Sequence, residues 1–432
     1  MLSVSRRLFL SVFTLFFAIG LTAQSPTLAP ASPESVGLSA SRLAQIDTLL
    51  NEYMEEEALP GGIVMVGRKG KIAYQKSFGY RNVKKEEPFA MNDIFRLASM
   101  TKALTSTAVL KLYEQGEFLL DDPIADYIPA FAETKVMDTF DPDAVTYTTV
   151  DLERPITIRH LLTHTTGIAY GFSSEKMAAI YKESGVDKFG LSHKTATTEE
   201  MVNLIAAQPL LHQPGTQWTY GYNCEVLGYL VEVVSGQTLG EYLDEHVFTP
   251  LGMDDTYFYL PKDKQDRLVP VYGDVRENGL TKYPDILSNY PTYGRTDHFA
   301  GGGGLSSTIM DYATFCQMML NKGEYNGKRI LSRKTIELMT TDQLALMDIE
   351  AGSKVDAKGT SFCLGYALTT PESQANHQGS VGTFYWGGIY NTKFWIDPEE
   401  EMFMVTMVQI IPFQRNEMWQ KLNNIIYSAV VD

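Results

Sequence analysis

Strand-like runs lie near both ends of this sequence and helical runs fill the space between, and that order constrains the fold more than any other feature. Gly61 to Val66 and Lys71 to Phe78 flank Arg68-Lys69-Gly70, a hairpin signal. Lys393 to Asp397 and Met402 to Gln409 flank Pro398-Glu399-Glu400, a second hairpin signal. Leu38 to Glu57 reads as an amphipathic helix ahead of the first hairpin, and Asn416 to Ala429 as a helix after the second. Between them, Thr101 to Glu114 reads as an amphipathic helix, with Leu104, Ala108 and Leu112 on one face and Gly116 as its stop. Ile158–Leu162, Met201–Gln208, Val226–Val234, Leu239–Val247 and Met310–Leu320 are further apolar segments. The order suits an α/β unit assembled from both termini, with a mostly helical region inserted. The α/β part is predicted at about 37–98 and 323–432, the helical part at about 99–322. The long segments Glu133 to Glu153 and Gly171 to Ala196 are predicted to be loops over the functional site.

The N-terminus carries an address. Arg6-Arg7 precede an apolar run from Leu8 to Leu21, and Thr22-Ala23-Gln24 forms a small-residue exit. This reads as a signal peptide over 1–23 followed by a Pro/Ser/Ala linker over 24–36, which predicts an exported protein, periplasmic or secreted. The apolar run is short for a bilayer span, so no membrane association is expected after its removal. The net charge of −16 argues against nucleic acid and anionic lipid as partners. Cys224, Cys316 and Cys363 are too few for a disulfide scaffold and lie in no metal-binding spacing, so they read as small core residues.

The chemistry starts at Ser99-Met100-Thr101-Lys102. Residues three apart on a helix share a face, with Cβ atoms about 5–6 Å apart, so Lys102 presents its ammonium to Ser99. A serine hydroxyl is a poor nucleophile until a base or cation network activates it. At a helix N-terminus the Ser99 N–H also points toward a developing oxyanion. Ser173-Ser174-Glu175-Lys176 matches the same spacing, but it sits in a polar stretch after Gly171. Ser99 instead follows the apolar Phe95-Arg96-Leu97-Ala98 and opens a long helix.

Five blocks then fall in order along the chain: IFRLASMTK (94–102), IRHLLTHTTGIAYGF (158–172), WTYGYNCEVLG (218–228), AGGGGLSSTIMDY (300–312) and WGGIYNTKFWIDP (386–398). Together they resemble the serine beta-lactamase-related family of class C type, most closely its carboxylesterase and acyltransferase branch, the family VIII carboxylesterases. The resemblance spans roughly Pro60 to Gln409. It implies a beta-lactamase/transpeptidase-like fold, with an antiparallel sheet drawn from both termini and flanked by helices. It implies an acyl-enzyme on Ser99, with Lys102 and Tyr220 as the other catalytic groups. Tyr220 matches the catalytic tyrosine through the frame Trp-x-Tyr-x-x-x-x-acid-Val-Leu-Gly. A neighbouring ammonium favours a phenolate, which then serves as general base on Ser99 and, once protonated, as general acid to the leaving group. The N–H of Ile389 is implied as the second oxyanion donor beside that of Ser99. Tyr170, Tyr222, Trp386, Gly387 and Gly388 are implied to contact substrate.

Two departures bear on specificity. Tyr222 stands where lactamases carry Asn, with Asn223 one residue further on. Trp386-Gly387-Gly388 replaces the Lys-Thr-Gly whose polar side chains hold a substrate carboxylate, and this argues for small neutral esters. A beta-lactamase, a D-amino-acid or cell-wall peptidase, an acyltransferase and a non-catalytic wall-fragment binding protein are the alternatives. No metal or cofactor is expected, and the expected partner is a small acyl compound. Gly301 to Gly304 lacks the Gly-Lys-Ser/Thr of a phosphate loop and reads as a tight turn beside the site. His160 and His164 lack the intervening Glu of a zinc helix and read as packing residues.

Overall fold

The computed structural model describes residues 28–432 apart from 189–190, 192–195, 276–278, 283–289, 293, 295, 348, 351–354 and 357. The predicted signal peptide, the first residues of the linker and part of the Gly171–Ala196 segment therefore lie outside the described residues.

Both termini build one eight-stranded sheet. Its order is Ser361–Phe362, Ala367–Leu368, Phe384–Gly387, Lys393–Asp397, Met402–Met407, Gly61–Arg68, Lys71–Asn82, Glu87–Pro88. All its ladders are antiparallel, and the register Ile63↔Met407 to Arg68↔Met402 joins the two ends of the chain. Gly61–Arg68 and Met402–Met407 are buried at every residue, because both faces of these central strands are covered. One face packs Val64, Val66, Trp395, Met402 and Met404 against the helices Gln45–Glu55 and Glu417–Ser428. The other packs Ile63, Met65, Phe394 and Phe403 against the inserted helical region.

The helix Thr101–Glu114 has the predicted bounds but not the predicted amphipathicity, since Thr101 to Leu110 and Leu112 are all buried. It runs through the centre of the molecule, so its polar side chains find partners in the interior. Thr105 Oγ1 donates to Gly301 O at 2.7 Å and Thr107 Oγ1 to Ala103 O at 2.9 Å, while Thr101 Oγ1 accepts from Leu305 N.

The Glu133–Glu153 segment is not a loop over the site. Val136–Asp141 and Thr146–Val150 pair as an antiparallel hairpin, and none of its residues lines the large cavity described below. The run Thr-Tyr-Thr-Thr-Val favours extended backbone. Asp141 Oδ1 accepts from Asp143 N and Ala144 N, which closes the turn. In the second segment, Glu175–Ser184 is a helix capped by Ser174, and among the segment's described residues Phe172 and Leu191 reach the cavity.

Candidate active site

Ser99 lies in a 3-10 turn, Ala98–Met100, that leads into the helix Thr101–Glu114. Ala98 has φ 45°, in the left-handed region that costs a non-glycine residue energy. The surroundings hold it there. Leu97 N donates to Leu305 O at 2.9 Å, Ala98 N to the Tyr290 hydroxyl at 3.3 Å, and Thr392 Oγ1 to Leu97 O at 3.1 Å. A Cβ on Gly388 would sit 2.3 Å from Leu97 O, so only glycine lets the end of the strand Phe384–Gly387 lie against the turn that carries Ser99.

The helix geometry brings Lys102 Nζ to 3.3 Å from Ser99 Oγ. The ammonium is 2% exposed and also donates to Gly302 O at 2.6 Å and to the Tyr170 hydroxyl at 3.1 Å. It stands over the rings of Tyr220, at 4.9 Å, and Tyr170, at 5.3 Å. Tyr220 reaches the same point from a segment far along the chain, its hydroxyl donating to Ser99 Oγ at 2.8 Å. Trp386 Nε1 in turn donates to the Tyr220 oxygen at 3.3 Å. Ser99, Tyr170, Tyr220, Tyr222, Trp386, Gly387, Gly388 and Ile389 line one cavity of about 1010 Å³. The structure thus brings the sequence-predicted site residues to one place.

A buried ammonium needs a counter-charge. Glu225, 3% exposed, supplies it, and the Tyr170 hydroxyl donates to its carboxylate at 3.2 Å. Burial alone would push Lys102 down, but the charges of Tyr220 and Glu225 outweigh it and hold the ammonium up. Burial raises Glu225, and Lys102 opposes that rise. Gly302 belongs to the same arrangement, since a Cβ there would lie 2.4 Å from Glu225 Oε1. The glycine run is therefore a tight turn that offers two carbonyls, Gly301 O to Thr105 and Gly302 O to Lys102.

Sequence reasoning found Tyr170 without its bridging position, and it passed over Glu225 except as the acid of a frame. The available signal was a buried lysine with no assigned anion. Asn223 is fully buried behind the cavity wall. Its Oδ1 accepts from Thr166 Oγ1 at 2.6 Å and its Nδ2 faces His164 Nδ1 at 2.8 Å. Tyr222 takes the cavity position instead, with its ring edge-on to Tyr170 at 4.4 Å. His160 Nδ1 accepts from Thr157 N as part of a capping box, so the two histidines serve separate packing roles. The second Ser-x-x-Lys match is exposed at Ser173 and Lys176, and Ser174 caps a helix there. Phe172, 74% exposed, stacks on Tyr170 at 5.0 Å and forms an apolar rim that no sequence pattern announced.

The arrangement can hold a nucleophile, a phenol and an ammonium in one hydrogen-bonded cluster. Comparison with known proteins agrees with this chemistry. The beta-lactamase family model matches residues 46–422. Protein Rv1367c of Mycobacterium tuberculosis is 32% identical over 371 residues, covering 84% of this chain and 89% of the relative. Esterase EstB of Burkholderia gladioli is 28% identical over 388 residues, covering 86% and 91%. Among solved structures, EstCE1, described as a hydrolase with promiscuous acyltransferase activity, superposes with a TM-score of 0.76 at 24% identity, covering 90% of this chain and 99% of its own. The chain belongs to the beta-lactamase family and is a serine hydrolase.

Proposed function

We propose that the protein is a carboxylesterase that forms an acyl-enzyme on Ser99 and acts on esters that are neutral around the scissile bond. The observation that carries this reading is the Tyr220 hydroxyl, 2.8 Å from Ser99 Oγ and hydrogen-bonded by the Trp386 indole. Ser99 Oγ attacks the carbonyl carbon and gives its proton to Tyr220, whose ionised form Lys102 stabilises. The N–H groups of Ser99 and Ile389 take the oxyanion. Tyr220 then protonates the departing alcohol, and water releases the acid by the reverse sequence. Trp386 gives the acyl side an apolar wall where a lactamase presents a cation, and the name of EstB supports the ester reading. The same acyl-enzyme passes its acyl group to an alcohol when one is supplied in excess. Export through a signal peptide at 1–23, cleaved near Ala23, is part of this proposal, and N-terminal sequencing of the mature protein tests it.

The test pairs p-nitrophenyl butyrate with a chromogenic cephalosporin, alongside Ser99→Ala. Ester turnover that drops by at least about 10⁴-fold in the variant, with little cephalosporin turnover, is expected. Dominant cephalosporin turnover would make the protein a lactamase, and silence on both would favour a peptidase or a binding protein.

A further inference from the structure

The cavity wall beside Tyr220 carries an aromatic surface that the proposed acyl transfer leaves unused. Among the described residues, Phe172 and Ile389 are the large exposed apolar side chains that line the cavity, and Phe172 is the more exposed of the two. Its ring stacks on that of Tyr170, with centroids 5.0 Å apart and planes 18° from parallel. It lies 6.2 Å from the ring of Tyr220, whose hydroxyl donates to Ser99 Oγ. Tyr170 covers one face of Phe172, so the 74% exposure belongs to the other face and the ring edge.

Phe172 is exposed but held in place. It sits in the 3-10 turn Gly171–Ser173. Two bonds tie that turn to the carbonyl of Tyr220: Tyr170 N donates to Tyr220 O at 3.2 Å and Ser173 Oγ at 2.9 Å. Ser173 N closes the turn on Tyr170 O at 3.0 Å. The Tyr170 ring beneath is fixed at its hydroxyl, which accepts from Lys102 Nζ and donates to Glu225. The free face of Phe172 is therefore set at a constant position relative to the proton-transfer group. A large apolar side chain left in water at a site marks a place that a ligand covers, and one already ordered loses little entropy when it is covered. A flat ring matches a free ring face, because an aromatic pair gains more than the area it buries and a saturated ring of the same size gains the area alone.

We propose that Phe172 is a stacking platform for an aromatic ring of the substrate, so that the substrate class is an ester with an aryl group a few bonds from the scissile carbonyl. This rests on the ester reading of Ser99 and deepens it: the reacting groups act on any ester bond, and the Phe172 ring selects what is attached to it.

The test compares the unaltered protein with Phe172→Leu, which keeps an apolar side chain and removes the ring. Each protein is given benzyl and cyclohexylmethyl butyrate, with the ring on the alcohol, and ethyl phenylacetate and ethyl cyclohexylacetate, with the ring on the acid. In each pair the ratio of kcat/KM for the aromatic to the saturated ester is taken. Comparing that ratio between the two proteins cancels the intrinsic reactivity of the esters. In at least one pair the ratio is expected to fall about threefold to tenfold in Phe172→Leu, and that pair identifies the part of the substrate that carries the ring. Phe172→Tyr keeps a ring and is expected to retain the ratio. Equal ratios in the unaltered protein and Phe172→Leu for both pairs would overturn the platform, even if the variant slowed all four esters alike, and so would the same fall in Phe172→Tyr. Turnover of ethyl butyrate, which has no ring, by the unaltered protein reports separately on the ester reading.

Discussion

The indole N–H of Trp386 donates to the hydroxyl oxygen of Tyr220 at 3.3 Å. That oxygen is the one hydrogen-bonded to Ser99 Oγ, so the aromatic wall of the pocket also touches the proton-transfer group. Trp386→Phe keeps an apolar ring and removes the donor. It is expected to lower kcat on p-nitrophenyl butyrate about tenfold, with a smaller change in KM, because hydrogen bonds to charged groups contribute about 1.5–3 kcal/mol. Steady-state kinetics check this, and an unchanged kcat would reduce Trp386 to a wall.

Glu225 and Tyr170 position Lys102 without touching the reacting atoms. Glu225 holds the ammonium up against burial, so Glu225→Gln removes that support and lets Lys102 lose its proton at lower pH. The basic limb of the kcat/KM profile is expected to move to lower pH in this variant. Tyr170→Phe removes the hydroxyl between the two charges and is expected to destabilise the fold by about 1–3 kcal/mol while lowering kcat. A pH profile and a denaturant titration separate the two effects; an unmoved basic limb in Glu225→Gln would remove Glu225 from this role.

Gly302→Ala places a Cβ 2.4 Å from Glu225 Oε1, on the residue whose carbonyl accepts from Lys102. The turn must shift, so the variant is expected to lose about 1–3 kcal/mol of stability and most of its ester activity. Thermal unfolding and the butyrate assay measure both. Full activity would show that the ammonium does not depend on this carbonyl.

Burial pushes His160 down to about 4, and its Nδ1 accepts from Thr157 N in the neutral form. The folded-state value lies below the unfolded one, so the unfolded chain binds more protons between about pH 4 and 6.5. Stability from this group is present above pH 6.5 and is lost as pH falls through that window, by up to about 3 kcal/mol. His160→Gln keeps an acceptor for Thr157 N and is expected to flatten the fall. Denaturant midpoints at pH 7, 6 and 5 for both proteins test it, and equal slopes would contradict it.

The sequence by itself determined which stretches become strands and helices and which residues can meet along one helix. Lys393–Asp397, Ile309–Leu320 and Thr101–Glu114 form close to where periodicity predicts them, and Ser99 meets Lys102 because three-residue spacing on a helix is a local rule. Tyr220 and Ile389 were legible only through the resemblance, since no local rule ties residue 220 or 389 to residue 99. Tertiary structure decided the rest. It wrapped the Thr101–Glu114 helix on every face, because periodicity tells which face is apolar but not how many neighbours arrive. It set Tyr170 between Lys102 and Glu225 and laid Gly302 O on the same ammonium, joining four segments far apart in the chain. It turned Asn223 away and Tyr222 toward the cavity, a choice made by one helical residue of rotation. Lys393 and Trp419 face each other only because a sheet strand and the last helix are packed together. Side-chain chemistry is written residue by residue, but the partners of a buried charge depend on which distant segments the core draws together.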